Sequence, residues 1–273
     1  MKQKYNIIKT IIIIIIIIIM DKTNELKKLN ELQIQVMHYC LKKSKLYHQN
    51  VYELFFSELL CKFSEQDITN TFLYIINDAP LITHLSFSTL QKVINEGILK
   101  NAFETTTKGT SYLTSRNNWE KNLFNDIYKD ANFIDRPKYG SINFLNNPSG
   151  ISLLKSYGDC FIKYKNSVKY RTTFIHGATY KMDYHIATFN YYAHILYYYL
   201  KSKEQIIYDL VNIANKRLSS STLTIDPYID AQIHGPVLIS DIESIHIPKT
   251  QQIDANFVYK MELEHPDIQI IFF

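Results

Sequence analysis

Apolar residues recur every third or fourth position through the first hundred residues and at alternate positions in several later stretches. From Thr23, TNELKKLNELQIQVMHYCLKKSK puts Leu26, Leu29, Leu32, Val36 and Cys40 at helical spacing with lysines opposite, and VYELFFSELLCKF continues the period. Ser64 with Asp67 caps a further helix that Pro80 closes, and FSTLQKVINEGILK predicts a short one ended by Gly97. The pattern lapses at Phe103. FETTTKGTSYLTSR is polar and β-branched and reads as a loop or strand pair, while Asn117 to Glu120 resembles a capped start for a helix over NWEKNLFNDIYKD. DRPKYGSINFL is extended, because Pro137 biases Arg136 away from helix. YGDCFIKYKNSVKYRTTFIHG predicts a hairpin turning near Asn166-Ser167. Two more helices are expected over YHIATFNYYAHILYYYL and SKEQIIYDLVNIANKRL, the second capped by Ser202 with Gln205. YIDAQIHGPVLISDIESIHI gives two strands joined through Gly235-Pro236, and IQIIFF a last strand. The expected class is α+β, with a leader over 1–20, a helical region over 21–102 and a mostly antiparallel sheet domain over 103–273.

Composition supports a large core, since 46% of the 273 residues are apolar. The net charge of +4 is spread along the chain without a basic stripe, so there is no strong nucleic-acid signal. Cys40, Cys61 and Cys160 show neither zinc spacing nor a disulfide framework and are expected to be unpaired. The leader MKQKYNIIKTIIIIIIIIIM has the shape of a signal sequence, but its uninterrupted run from Ile11 to Met20 would span only about 15 Å as a helix. It is not succeeded by a small-residue cleavage site. Met20 therefore reads as a candidate start and the protein as cytoplasmic, with membrane anchoring or secretion as the alternative if the leader acts as a signal.

Candidate chemistry concentrates in YIDAQIHGP. Asp230, Gln232 and His234 fall on one strand face, and Ile229, Ala231 and Ile233 on the other. Asp is disfavoured in strands, which sets this row apart from an ordinary solvated face. Asp230 can stabilise positive charge or act as a base, and His234 can transfer a proton or orient a ligand. Arg136, close to Tyr139 in DRPKYG, and Arg171 in KYRTTFIHG can clamp a phosphate or carboxylate. On a strand through that second stretch Lys169, Arg171 and Thr173 would share one face, and Tyr170, Thr172 and Phe174 the other. Thr172, His176 at the strand end and Glu104 complete the expected ligand-binding set. The plainer readings stay open: a solvated strand face, and an ion pair of Arg136 with Asp135 or Asp130. Arg116, Trp119 and Glu120 lie in the same polar stretch as Glu104, with Trp119 read as a core anchor and Glu120 as a cap. Walker, GxGxxG, GxSxG and HExxH patterns are absent, and no metal site is indicated.

Four segments in order, FETTTKGTSYLTSRNNWEKNLF, RPKYGSINFL, YGDCFIKYKNSVKYRTTFIHG and YIDAQIHGPVLISDIESIHI, resemble the family called Domain of Unknown Function 3626, from about residue 25 to the end. RPKYG and AQIHGPV are the most specific pieces. The family reads Phe-Glu-Thr-Gly where this chain has Thr106, and favours Glu where it has Asp230. The order of segments is also similar to the ADP-ribosyltransferase layout. That similarity implies NAD as cofactor, Asp230 as the carboxylate at the nicotinamide ribose, and Arg136 or Arg171 at the phosphates. Two other readings stand beside it: a small hydrolase or nuclease using His234 and Asp230, and a non-catalytic binding protein.

Overall fold

The computed structural model describes residues 22–105, 108–179, 185–220 and 227–273. The isoleucine leader lies outside the described residues. The chain is α+β, built on an eight-stranded sheet in the order β10-β9-β4-β1-β3-β7-β5-β6. The sheet strands are β1 (Leu81–Leu85), β3 (Lys138–Ile142), β4 (Cys160–Tyr164), β5 (Thr172–His176), β6 (Ala187–Thr188), β7 (Ile229–Ile233), β9 (Ile242–Ile247) and β10 (Gln269–Phe272). Its pairings are antiparallel except β10 with β9. A separate pair joins β2 (Ile98–Leu99) to β8 (Val237–Leu238).

Residues paired across a ladder share a face, so the register sorts the sheet into two surfaces. Ile162 opposite Ile245, and Phe174 opposite Ala231, belong to one surface. There they join one large apolar cluster with residues of α2 (Glu31–Leu60), α3 (Glu65–Asn77), α4 (Phe87–Glu96), α7 (Ala193–Ser202), α8 (Glu204–Ala214) and α9 (Ala255–Glu264). Tyr139 opposite Gln232, Gln232 opposite Thr173, and Ser141 opposite Asp230 belong to the other surface. That surface carries two small apolar clusters, one around Val36, Cys40, Phe124 and Tyr128, the other around Ile82, Ile151, Leu154 and Phe161. Cys40 and Cys160 are buried, Cys61 is exposed, and all three are free. None of the helices among the described residues is long and apolar enough to cross a membrane.

Several local expectations change. The helix expected from Thr23 breaks at Asn30, whose side chain forms a capping box with Gln33; α1 covers 22–27 and α2 begins at Glu31. FETTTKGTSYLTSR, expected as a loop or strand pair, is helical over most of its described residues: Ala102–Thr105 is a helical turn, α5, and α6 runs Thr110–Leu123. Its N-terminus is Gly109 at φ 75, without a side-chain cap, so Trp119 and Glu120 sit inside the helix rather than at its start. The helix expected over YHIATFNYYAHILYYYL is confined to its later half, because β6 occupies Ala187–Thr188 and α7 begins only at Ala193. Nor does Ser202 cap α8; its hydroxyl donates to the Tyr198 carbonyl, and Lys203 precedes the helix without a side-chain cap. The hairpin near Asn166 does not form. Asn166–Arg171 is a 3₁₀ turn that carries the chain from β4 across to β5, and β1, β3 and β7 lie between them. Lys169 and Arg171 therefore belong to this turn and not to an alternating strand. Likewise β7 and β9 are not neighbours, and Gly235-Pro236 leads out of the sheet toward β8.

Candidate functional site

Asp230 sits on β7 between Ser141 of β3 and Ile175 of β5. The alternate residues of the strand, Ile229, Ala231 and Ile233, are fixed in the large core, which aims the carboxylate to the polar surface. Oδ2 accepts from the Thr179 backbone N–H at 3.1 Å and from the Thr179 hydroxyl, and Oδ1 accepts from the Tyr228 hydroxyl at 3.2 Å. Burial pushes the Asp230 carboxyl up to about 7; the Arg116 charge and the Thr179 and Tyr228 hydrogen bonds pull the other way without offsetting it. Asp230 borders a cleft of about 300 Å³ with Tyr112, Arg116, Trp119, Tyr157 and Tyr228. A smaller recess of about 80 Å³ shares Arg116 and Asp230 and reaches Tyr139 and Gly140. Gly140 belongs there for lack of room, since a Cβ would lie 2.5 Å from the Ile82 carbonyl oxygen.

The cation in this cleft is Arg116. On α6, Tyr112, Arg116 and Trp119 stand at i, i+4 and i+7, one helix face. The guanidinium carbon is 4.0 Å from the centre of the Tyr139 ring, 5.2 Å from Trp119 and 5.5 Å from Tyr112, whose hydroxyl accepts from Nη2 at 2.6 Å. Its Nε is buried and has no hydrogen-bond partner among the described residues. A stacked guanidinium with an unsatisfied buried N–H is prepared for an oxyanion.

The remaining row residues support this cleft from beneath. Tyr139 donates to Glu120 at 2.9 Å, and Glu120 accepts from Arg136 Nη1 at 2.9 Å. Arg136 Nη2 reaches the Tyr128 carbonyl at 3.1 Å, and the Tyr128 hydroxyl meets His234 Nδ1 at 2.7 Å. Thr173 gives its proton to Gln232 Oε1 at 3.1 Å, so its oxygen accepts from His234 Nε2–H at 3.0 Å. That leaves Nδ1 as the acceptor for Tyr128. Gln232 Nε2 closes the chain on the Asp230 carbonyl at 3.0 Å. Burial, assisted by the Arg171 charge, lowers His234 to about 3, so it is neutral at physiological pH.

Of the catalytic and ligand-binding residues expected from sequence, Asp230 borders the cleft and Tyr139 the smaller recess. Gln232 and His234 are fully buried and lie behind it. Arg136 is occupied by Glu120, and Arg171 donates to Glu25 at 2.6 Å, to Asp241 at 2.8 Å and to the His234 carbonyl at 2.6 Å. The pairing of Arg136 with Asp135 or Asp130 is thus replaced by one with Glu120, sixteen positions earlier in the chain. Thr172 donates to the Val168 carbonyl at 2.8 Å, and His176 stacks on Tyr198 at 3.9 Å. Glu104 pairs with Lys138 at 3.3 Å. Arg116, Thr179 and Tyr228 were not assigned to the site by sequence; the i, i+4, i+7 spacing of Tyr112, Arg116 and Trp119 was the available signal. Among the described residues no group of three or more His, Cys, Asp or Glu could hold a metal ion.

Comparison with known proteins adds a family. The family described as Protein of unknown function (DUF3626) matches residues 82–256. The chain belongs to it. The matched stretch of this DUF3626 protein contains Arg116, Tyr139 and Asp230, and leaves α1, α2 and α3 outside. No curated protein matches the chain. Among solved structures it is similar to Thermosipho africanus DarTG in complex with ADP-ribose, at 14% identity and a TM-score of 0.38, over 71% of this chain and 49% of that one. The similarity thus spans about half the length of that chain.

Proposed function

We propose that the cleft binds NAD or a related nucleotide and that the protein is an ADP-ribosyl-transferring enzyme. The observation that carries this reading is the placement of the Asp230 carboxylate and the Arg116 guanidinium in one cleft walled by Tyr112, Trp119, Tyr157 and Tyr228. Arg116 Nε–H would meet the pyrophosphate, and the aromatic rings offer flat surfaces for a base or a nicotinamide. In the transfer, the bond between ribose C1′ and the nicotinamide nitrogen breaks and nicotinamide leaves with the electron pair. A nucleophile then bonds to C1′ and sheds a proton. Asp230 stabilises the positive charge that develops on the ribose. Such a role needs the ionised carboxylate, so activity rises with pH through about 7.

A reaction in which His234 moves a proton is not supported, because both of its ring nitrogens are engaged and it is fully buried. The test is calorimetric titration of the full chain with NAD and with ADP-ribose, alongside an assay for released nicotinamide. Arg116→Ala is expected to weaken binding at least tenfold, and Asp230→Asn to keep binding within a few-fold while abolishing nicotinamide release. Absence of saturable binding of either nucleotide, or equal binding by Arg116→Ala and the parent, would overturn the reading.

A further inference from the structure

A second cavity, of about 350 Å³, lies away from Asp230 between α1, the start of α2 and the 3₁₀ turn at Asn166–Arg171. Leu26, Leu29, Ile34, Met37, Leu41 and Phe189 wall it, and none of its lining residues is an Asp or Glu. Lys169 faces it with 4% of its surface exposed. Its Nζ donates to the carbonyls of Ile76 at 3.0 Å and Ile75 at 3.2 Å, near the C-terminal end of α3, and lies 5.3 Å from the Phe189 ring centre. An ammonium has three donors, so one is left for a ligand. Asp78 and Glu243 act on Lys169 only through space, neither forming an ion pair with it. Burial accordingly drives its amine down to about 7.

A buried cation without a carboxylate partner is costly for stability alone, and its position on an apolar cavity indicates what would offset that cost. We propose that this cavity binds an aliphatic monocarboxylate, with its head group on Lys169 Nζ and its chain along Leu26, Leu29, Met37 and Leu41. Lys22 and His38 also line the cavity but are exposed, so Lys169 is the buried cation of its lining, and the balance of charge there favours one negative charge: a phosphate dianion against that lysine would leave charge unpaired in largely apolar surroundings. The apolar walls require a tail. At about 30 Å³ per water-sized group, the cavity holds on the order of ten heavy atoms, the size of octanoate.

The test is calorimetric titration of the full chain with octanoate, octanol and acetate. Octanoate is expected to bind saturably at one site, with octanol and acetate each at least tenfold weaker. Lys169→Met should weaken octanoate at least tenfold and erase its advantage over octanol. Because that change could perturb the fold, Met37→Trp serves as a second variant that fills the cavity from the opposite wall and should also abolish binding; thermal melts confirm that both remain folded. Failure of octanoate to saturate the full chain overturns the proposal. So does octanoate binding that neither variant weakens. NAD binding at the Asp230 cleft is read separately and stands or falls independently.

Discussion

The two surfaces of the central sheet are buried by different means. On one, side chains such as Ile162, Phe174, Ala231 and Ile245 merge with six helices into a single apolar cluster. On the other, burial is achieved by hydrogen bonds and ion pairs, with only small apolar clusters between them. Hydrophobic burial is non-directional and tolerates modest changes of shape. A buried polar network is directional, and removing one partner strands the others. The tolerant surface secures the fold, and the intolerant one positions Arg116 and Asp230.

This contrast is broken or sharpened by graded substitutions. The largest expected effect is Arg171→Ala, which leaves Glu25 and Asp241 buried beside only the half-buried Lys28; a loss of about 3–5 kcal/mol in urea denaturation is expected. A loss no greater than that for trimming one methyl from the apolar surface would erase the distinction. His234→Ala should cost about 1–3 kcal/mol, because the Tyr128 hydroxyl loses its acceptor and the Thr173 oxygen loses its donor while its bond to Gln232 remains, and somewhat more for the cavity. Nucleotide binding should remain within about twofold; its complete loss would place His234 at the ligand instead.

Asp230 supplies a pH signature. Its carboxyl titrates at about 7 in the folded protein against 3.8 for the free group, so the folded state holds that proton more tightly. The resulting stability is fully present below about pH 4 and is lost as pH rises through about 7. Asp230→Asn should flatten this slope, and parent and variant stabilities that run parallel from pH 4 to 8 would contradict the buried-carboxyl assignment. The smallest expected effect is Ile245→Val, at about 0.5–1.5 kcal/mol, with unchanged ligand binding.

The row on β7 was legible because alternation is local: Ile229, Ala231 and Ile233 could be set against Asp230, Gln232 and His234 from nine residues of sequence. The groups facing the row were not. Arg171 is held by Glu25 and Asp241, 146 and 70 positions away, and no local pattern announces such partners. The apparent hairpin failed for a related reason, since strands adjacent in sequence were separated by three others in the sheet. Arg116 was obscured by a helix with few apolar residues, Thr110–Leu123, whose polar sequence resembles a loop. The fold class and its mostly antiparallel sheet were nonetheless readable from the period-two and period-3.6 patterns.

The ion pairs around Arg171 also set an order in time. Glu25 and Lys28 leave the ribosome early, but Lys28 pairs with Asp241, 213 residues later. At ~5–20 residues per second, translation separates these partners by roughly 10–40 s. Throughout that interval the early acid and base lack Asp241, and Arg171, made 70 residues before Asp241, waits without its second carboxylate for about a third of it. The polar surface can therefore lock only after Asp241 has been made, which makes the assembly of the Asp230 cleft a late step.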